Sequence, residues 1–95
     1  MKRVRPPMKA ILREMKEDSG ALGIGPIGQE GVLEILESER SHPGRVCAFF
    51  SYGLDSLPGQ FWTSFSYILE EEGSTVRLVH GGRSGQNRFV FERLE

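Results

Sequence analysis

Ninety-five residues with 38% apolar and 26% charged side chains suffice for one small core and exclude both a disordered composition and two independent cores. No apolar run approaches the roughly 20 residues of a membrane-crossing helix, and the basic start MKRVRPP lacks the apolar stretch of a secretory leader. The net charge of −1 hides a division: Lys2, Arg3, Arg5, Lys9, Arg13 and Lys16 face only Glu14 in the first 16 residues, whereas twelve acids outnumber six arginines beyond them. A basic arm on an acidic body suits nucleic acid, an anionic membrane or the acidic face of another subunit. The lone Cys47 forms no internal disulfide, and with the missing leader it predicts a cytoplasmic protein without a membrane span.

In chain order, the basic arm comes first. Met8, Ile11, Leu12 and Met15 recur at i, i+3, i+4 and i+7, which predicts an amphipathic helix over 7–18 led by Pro6 and Pro7 and stopped at Gly20. Residues 19–31, with five glycines, then read as a connector. Within it, GIGPIG places Gly23, Gly25 and Gly28 at the spacing of a dinucleotide-binding loop. That motif needs a strand before it and a helix N-terminus after it. A predicted helix precedes it and Pro26 interrupts it, so a flexible joint is the expected role.

The remainder, 32–95, is expected to hold the core of a single domain. VLEILESER (32–40) fits either a short helical face or a strand; the Pro43-Gly44 turn and the strand-like VCAFFSY (46–52) favour a hairpin. Pro58 then opens a predicted helix in which Phe61, Phe65, Ile68 and Leu69 form the apolar stripe, Trp62 flanks it and Gly73 ends it. The last 22 residues read as a hairpin about Ser84-Gly85, opposing Val79 to Val90, Leu78 to Phe91 and Arg77 to Glu92. Val76, Leu78, Phe89 and Phe91 share one of its faces.

Chemistry-bearing residues are sparse. His42, His80 and Cys47 lie at no metal-binding spacing, and no acid, base and nucleophile converge, so neither a metal, a cofactor nor catalysis is expected. The segment HGGRSGQNR (80–88) is the richest polar cluster. His80, Arg83, Gln86, Asn87 and Arg88 supply planar donors for carboxylates, phosphates or base edges. With Trp62 and Phe65 they form a candidate ligand or partner site; Arg83 and Arg88 with Lys2, Arg3, Arg5, Lys9 and Arg13 form the candidate nucleic-acid set.

The order of GVLEILESERSHPGRV, PGQFWTSFSYILEEEGSTVRL and SGQNRFVFERL resembles the vinyl-reductase-type small-molecule-binding domains, which are related to vesicle-tethering-complex subunits. The likeness spans about two-thirds of the chain and implies a dimeric, ligand-sensing regulatory module. Gln60 and Arg88 stand where that family places cysteines, so no cysteine-based site carries over. The expected fold is α+β: about four strands in two hairpins, a central helix on one face of a mainly antiparallel sheet, and the N-terminal amphipathic helix. The expected function is a non-enzymatic regulatory or protein-interaction module, as a homodimer or with another subunit; the alternative is nucleic-acid binding.

Overall fold

The computed structural model describes residues 2–16, 27–37, 44–53, 59–80 and 87–94. They form β1 (Lys2–Arg3), β2 (Met8–Lys16), β3 (Glu30–Glu37), β4 (Val46–Tyr52), β5 (Gly59–Trp62), β6 (Tyr67–Glu72), β7 (Thr75–His80) and β8 (Arg88–Arg93). All pairings are antiparallel. The chain meanders through β2, β3, β4, β6, β7 and β8, and β8 returns to pair with β2, closing a six-stranded barrel. β1 continues the line of β2 along β3, and β5 precedes β6 along the same edge of β4.

The α+β expectation is therefore wrong: among the described residues there is no helix. Where the helix over 7–18 was expected, β2 runs in two halves with a register shift between Leu12 and Glu14. Met8, Ala10 and Leu12 face inward by simple alternation. The extra residue, Arg13, then resets the alternation, and Met15 faces inward opposite Phe89. Inward residues at 8, 12 and 15 imitate a helical stripe, although Ile11 lies on the outer face.

The same cause converts the expected central helix into strands. Trp62 opposes Phe49 and Tyr67 opposes Val46, so five steps on one side match three on the other. The two surplus residues sit in the bulge at 63–66. Phe61 and Tyr67 reach the interior on either side of it, while Ile68 is exposed on the wall. Gly73 ends no helix. It takes φ 61° in the two-residue turn joining Glu72 to Thr75. Ser74 has negative φ, so the turn is type II′, which matches the twist of the strands it joins.

Strands do occur at 30–37 and 46–52, as the hairpin reading requires, and Gly44 has the φ of 80° suited to the third position of a type II turn. In the terminal hairpin Val76, Leu78, Phe89 and Phe91 share the inner face, but the register differs by two residues. Val79 opposes Arg88, Leu78 opposes Phe89 and Arg77 opposes Val90. The expected Arg77–Glu92 pair does not form; Arg77 lies 3.6 Å from Glu72, and Glu92 accepts from Arg13.

Alternation fills the interior from every strand. Leu12, Leu33, Ile35, Phe50, Leu78, Phe89 and Phe91 are fully buried, each contributing about 1.5–3 kcal/mol of transfer free energy. Phe50 is the hub, with ring centroids 5.1 Å from Phe91, 5.8 Å from Phe61 and 5.7 Å from Tyr52. Gly31 makes room for it: a Cβ there would lie 2.2 Å from the Ser51 carbonyl oxygen and 2.9 Å from the Phe50 ring.

Candidate interaction surface

The outer face of β3, β4 and β5 carries the largest exposed aromatic feature among the described residues. Cross-strand register sets two rows there: Glu34–Phe49–Trp62, and Val32–Ser51–Gln60. Trp62 is 57% exposed and its ring centroid lies 4.2 Å from that of half-buried Phe49. Val32 is also exposed. None of the four residues of β5 is ionisable.

Local chemistry explains how β5 is placed. Gly59 admits the Tyr52 ring opposite it, to which a Cβ would come within 2.6 Å. At the other end the Thr63 amide donates to Ala48 O at 2.9 Å, and the Ala48 amide donates to Thr63 Oγ1 at 2.8 Å. The side-chain oxygen thus replaces the backbone carbonyl in the ladder and releases the chain into the bulge, where the Ser64 hydroxyl donates to Ser66 Oγ at 3.1 Å.

The expected ligand or partner site is divided among four places. His80 and Asn87 stay together, the His80 amide donating to Asn87 O at 2.9 Å. His80 also meets Tyr67 edge-on, with ring centroids 5.4 Å apart. Trp62 lies on the outer face, away from the inward-facing Tyr67. Phe65 sits in the bulge. Arg88 is on the outside of β8, where Nη2 and Nε donate to Glu14 Oε1 at 2.5 and 2.9 Å. Arg83 and Gln86 lie outside the described residues, as do Gly23 and Gly25. A strand, β2, does precede the glycine motif, contrary to the expectation that a helix would; Gly28 instead leads into strand β3 and donates its amide to Leu12 O at 2.8 Å.

Trp62 and the aromatic interior, where Phe61 and Phe89 stack at 5.5 Å, lie on opposite sides of the sheet.

The nucleic-acid set is likewise dispersed. Arg5 pairs with Glu71 at one end of the barrel, and Arg13 donates to Glu92 at 3.2 Å on the outer wall. Lys2 and Arg3 form β1. Lys9 lines a cleft of about 390 Å³ with Arg5, Pro6, Pro7, Met8 and Arg93. Arg93 was missed in the sequence because its charge gives no sign that closure of β8 on β2 brings it beside the arm.

Cys47 is buried on the outer side of β4, opposite Leu36, and burial pushes its thiol above the ordinary value of 9.0. It is held as a neutral thiol, unsuited to nucleophilic work. Among the described residues no three His, Cys, Asp or Glu side chains cluster as metal ligands, and no helix is long and apolar enough to cross a membrane. No family model, curated protein or solved structure matches the chain.

Proposed function

We propose that the chain is a non-enzymatic protein-interaction module and that it binds through the outer face of β4 and β5. The exposed Trp62 stacked on Phe49 carries this reading. A tryptophan held rigidly by an aromatic neighbour supplies large apolar area at little conformational cost, the property of interface hot spots. The polar side chains of the opposite wall support it too, since in the open groove they line Arg88 is already engaged by Glu14 and Arg77 lies beside Glu72.

A photo-crosslinking amino acid at position 62 tests the proposal in cells. Discrete adducts are expected from position 62 and not from position 90 on the opposite wall. Equal labelling from both positions, or none from 62, overturns it.

Nucleic-acid binding is the second reading, and the cleft of Arg5, Lys9 and Arg93 favours it, since no carboxylate among the described residues lines that cleft. Against it, Arg5, Arg13 and Arg88 already hold carboxylates that a phosphate would have to displace. Titration of a labelled single-stranded oligonucleotide decides: affinity falling steeply with salt and weakened by Arg93→Ala supports it. Absence of binding at low salt removes it.

A further inference from the structure

We infer that the partner is a second copy of this chain, joined by antiparallel pairing of its β5 edge with the partner's β5 edge. This rests on the reading of the β4–β5 face as an interaction surface and names what binds there. The hydrogen-bond phase of the ladder carries the inference. The Thr63 amide bonds to Ala48 O, so residue 63 and its antiparallel partner 48 form a hydrogen-bonded pair. Alternation makes Phe61/Phe50 and Gly59/Tyr52 the next such pairs. The N–H and C=O groups of Gln60 and Trp62 therefore point away from β4. Among the described residues β5 pairs with β4 alone.

Natural sheets guard an open edge with lysine, proline or an inward charge. GQFW carries none of these. The edge is also self-complementary. With a twofold axis at Phe61, Gln60 opposes the partner's Trp62 and Trp62 opposes the partner's Gln60. All four outward groups of each copy's two residues are then used. Shifting the axis to Gln60 would carry the pairing past Gly59, where β5 begins; shifting it to Trp62 would set Gln60 against the partner's Ser64, inside the bulge. The favoured register also places both tryptophans on one continuous outer face and covers Phe61, which points inward yet is only partly buried. An edge four residues long makes a small interface, so micromolar or weaker association is expected, as for interfaces below about 1,200 Å².

Sedimentation equilibrium on the full chain, from about 10 μM to about 1 mM, should show a monomer–dimer equilibrium in the range set by such small interfaces. Gln60→Pro removes an N–H that β4 does not use, and should weaken dimerisation roughly tenfold or more through loss of two symmetric hydrogen bonds. Gln60→Lys is the second variant and should act in the same direction by charging the edge; unchanged exchange protection of the Phe50 and Leu78 amides shows that each variant is folded. In the parent chain the Gln60 and Trp62 amides should become protected as concentration rises. A monomer throughout overturns the inference, and so does a dimer indifferent to both variants. Protection of those two amides that does not depend on concentration overturns it as well, because the edge is then covered within one chain. If the chain is monomeric but position 62 still crosslinks to a different protein, only the identity of the partner fails; if 62 crosslinks to nothing, the underlying reading fails with it.

Discussion

The barrel has two walls around one interior, and their outer faces differ in kind. On β2, β8, β7 and β6 the outward positions include three matched charge pairs, Arg13 with Glu92, Arg88 with Glu14 and Arg77 with Glu72, set among Ile11, Ile68, Val79 and Val90. Glu14, Arg77 and Arg88, with Glu70, border an open groove of about 540 Å³ beside Thr75, Val79 and Val90. On β3, β4 and β5 the central outward positions are Val32, Glu34, Phe49, Ser51, Gln60 and Trp62, with Glu34 the one charge among them. Exposed ion pairs contribute only about 0–1 kcal/mol each, so the first wall gains modest stability but presents charges that are mostly paired with one another. Arg77 Nε is buried without a hydrogen-bond partner among the described residues. The second wall leaves apolar area that another surface can still cover. Stability resides in the interior that both walls share, and the difference between them concerns recognition.

The strongest way to break that comparison is to attack the shared interior. Phe50 belongs to the second wall yet touches Phe91 of the first, so Phe50→Ala should cost about 3–5 kcal/mol and unfold both walls together. Urea denaturation followed by Trp62 fluorescence and by amide signals of β7 and β8 checks this. Coincident transitions are expected; separate ones would mean that the walls are independent units rather than two faces of one core.

Gly31→Ala is next in size. Its Cβ would meet the Ser51 carbonyl, which is backbone and cannot swing aside, and the Phe50 ring. A loss of about 1–3 kcal/mol is expected in thermal or urea unfolding. A neutral result would show that β3 and β4 can separate without disturbing the interior, and would make the second wall the looser of the two.

Gly31 also shows where the sequence was readable and where it was not. It lies in the expected connector because four other glycines precede it within 19–31, and only the strand opposite shows that Gly31 is needed to seat an aromatic ring. Where strands alternate without interruption, as in TVRLVH and RFVFER, the faces were legible from residue type alone, whereas VCAFFSY reads as apolar on both faces. Where a bulge adds one residue at Arg13 or two at 63–66, the period of two is broken and the apolar spacing becomes that of a helix. The Pro58-led aromatic stretch failed for this reason, and Trp62 was assigned to a helix flank when it belongs on the outside of a strand. The candidate site was less legible than the fold, because Arg88 and Trp62 look like neighbours of His80 until closure of the barrel separates them.

Cys47 tests how well the second wall is sealed at its other end. Burial raises its thiol pKa, so the folded chain keeps the proton at pH values where the unfolded chain releases it. Its contribution to stability is present in full below the ordinary value of 9.0 and is lost as pH rises above it. The fall is limited to about 1.4 kcal/mol per pH unit. Cys47→Ala should flatten the alkaline limb of a stability–pH profile relative to the parent chain while the two profiles run parallel below pH 9. Equal alkaline slopes in both proteins would show that solvent reaches the thiol and that this end of the wall is open.

The smallest expected effects separate the walls most directly. A double-mutant cycle on Glu14 and Arg88 should give a coupling of about 0.2–1 kcal/mol at low salt. Both side chains are half-exposed, at 45% and 44%, so the coupling should all but vanish at about 1 M salt, where screening acts over about 3 Å. The matching cycle on Phe49 and Trp62 should give a similar coupling of about 0.2–1 kcal/mol, because cross-strand aromatic pairs are of that size. It should survive salt unchanged, since what holds those rings together is contact and the release of water from apolar surface. Two couplings alike in magnitude and opposite in salt response would show that the walls differ in the kind of force they present to solvent rather than in how firmly they are built. A salt-sensitive Phe49–Trp62 coupling would instead tie the aromatic pair to a nearby charge such as Glu34 and remove the distinction.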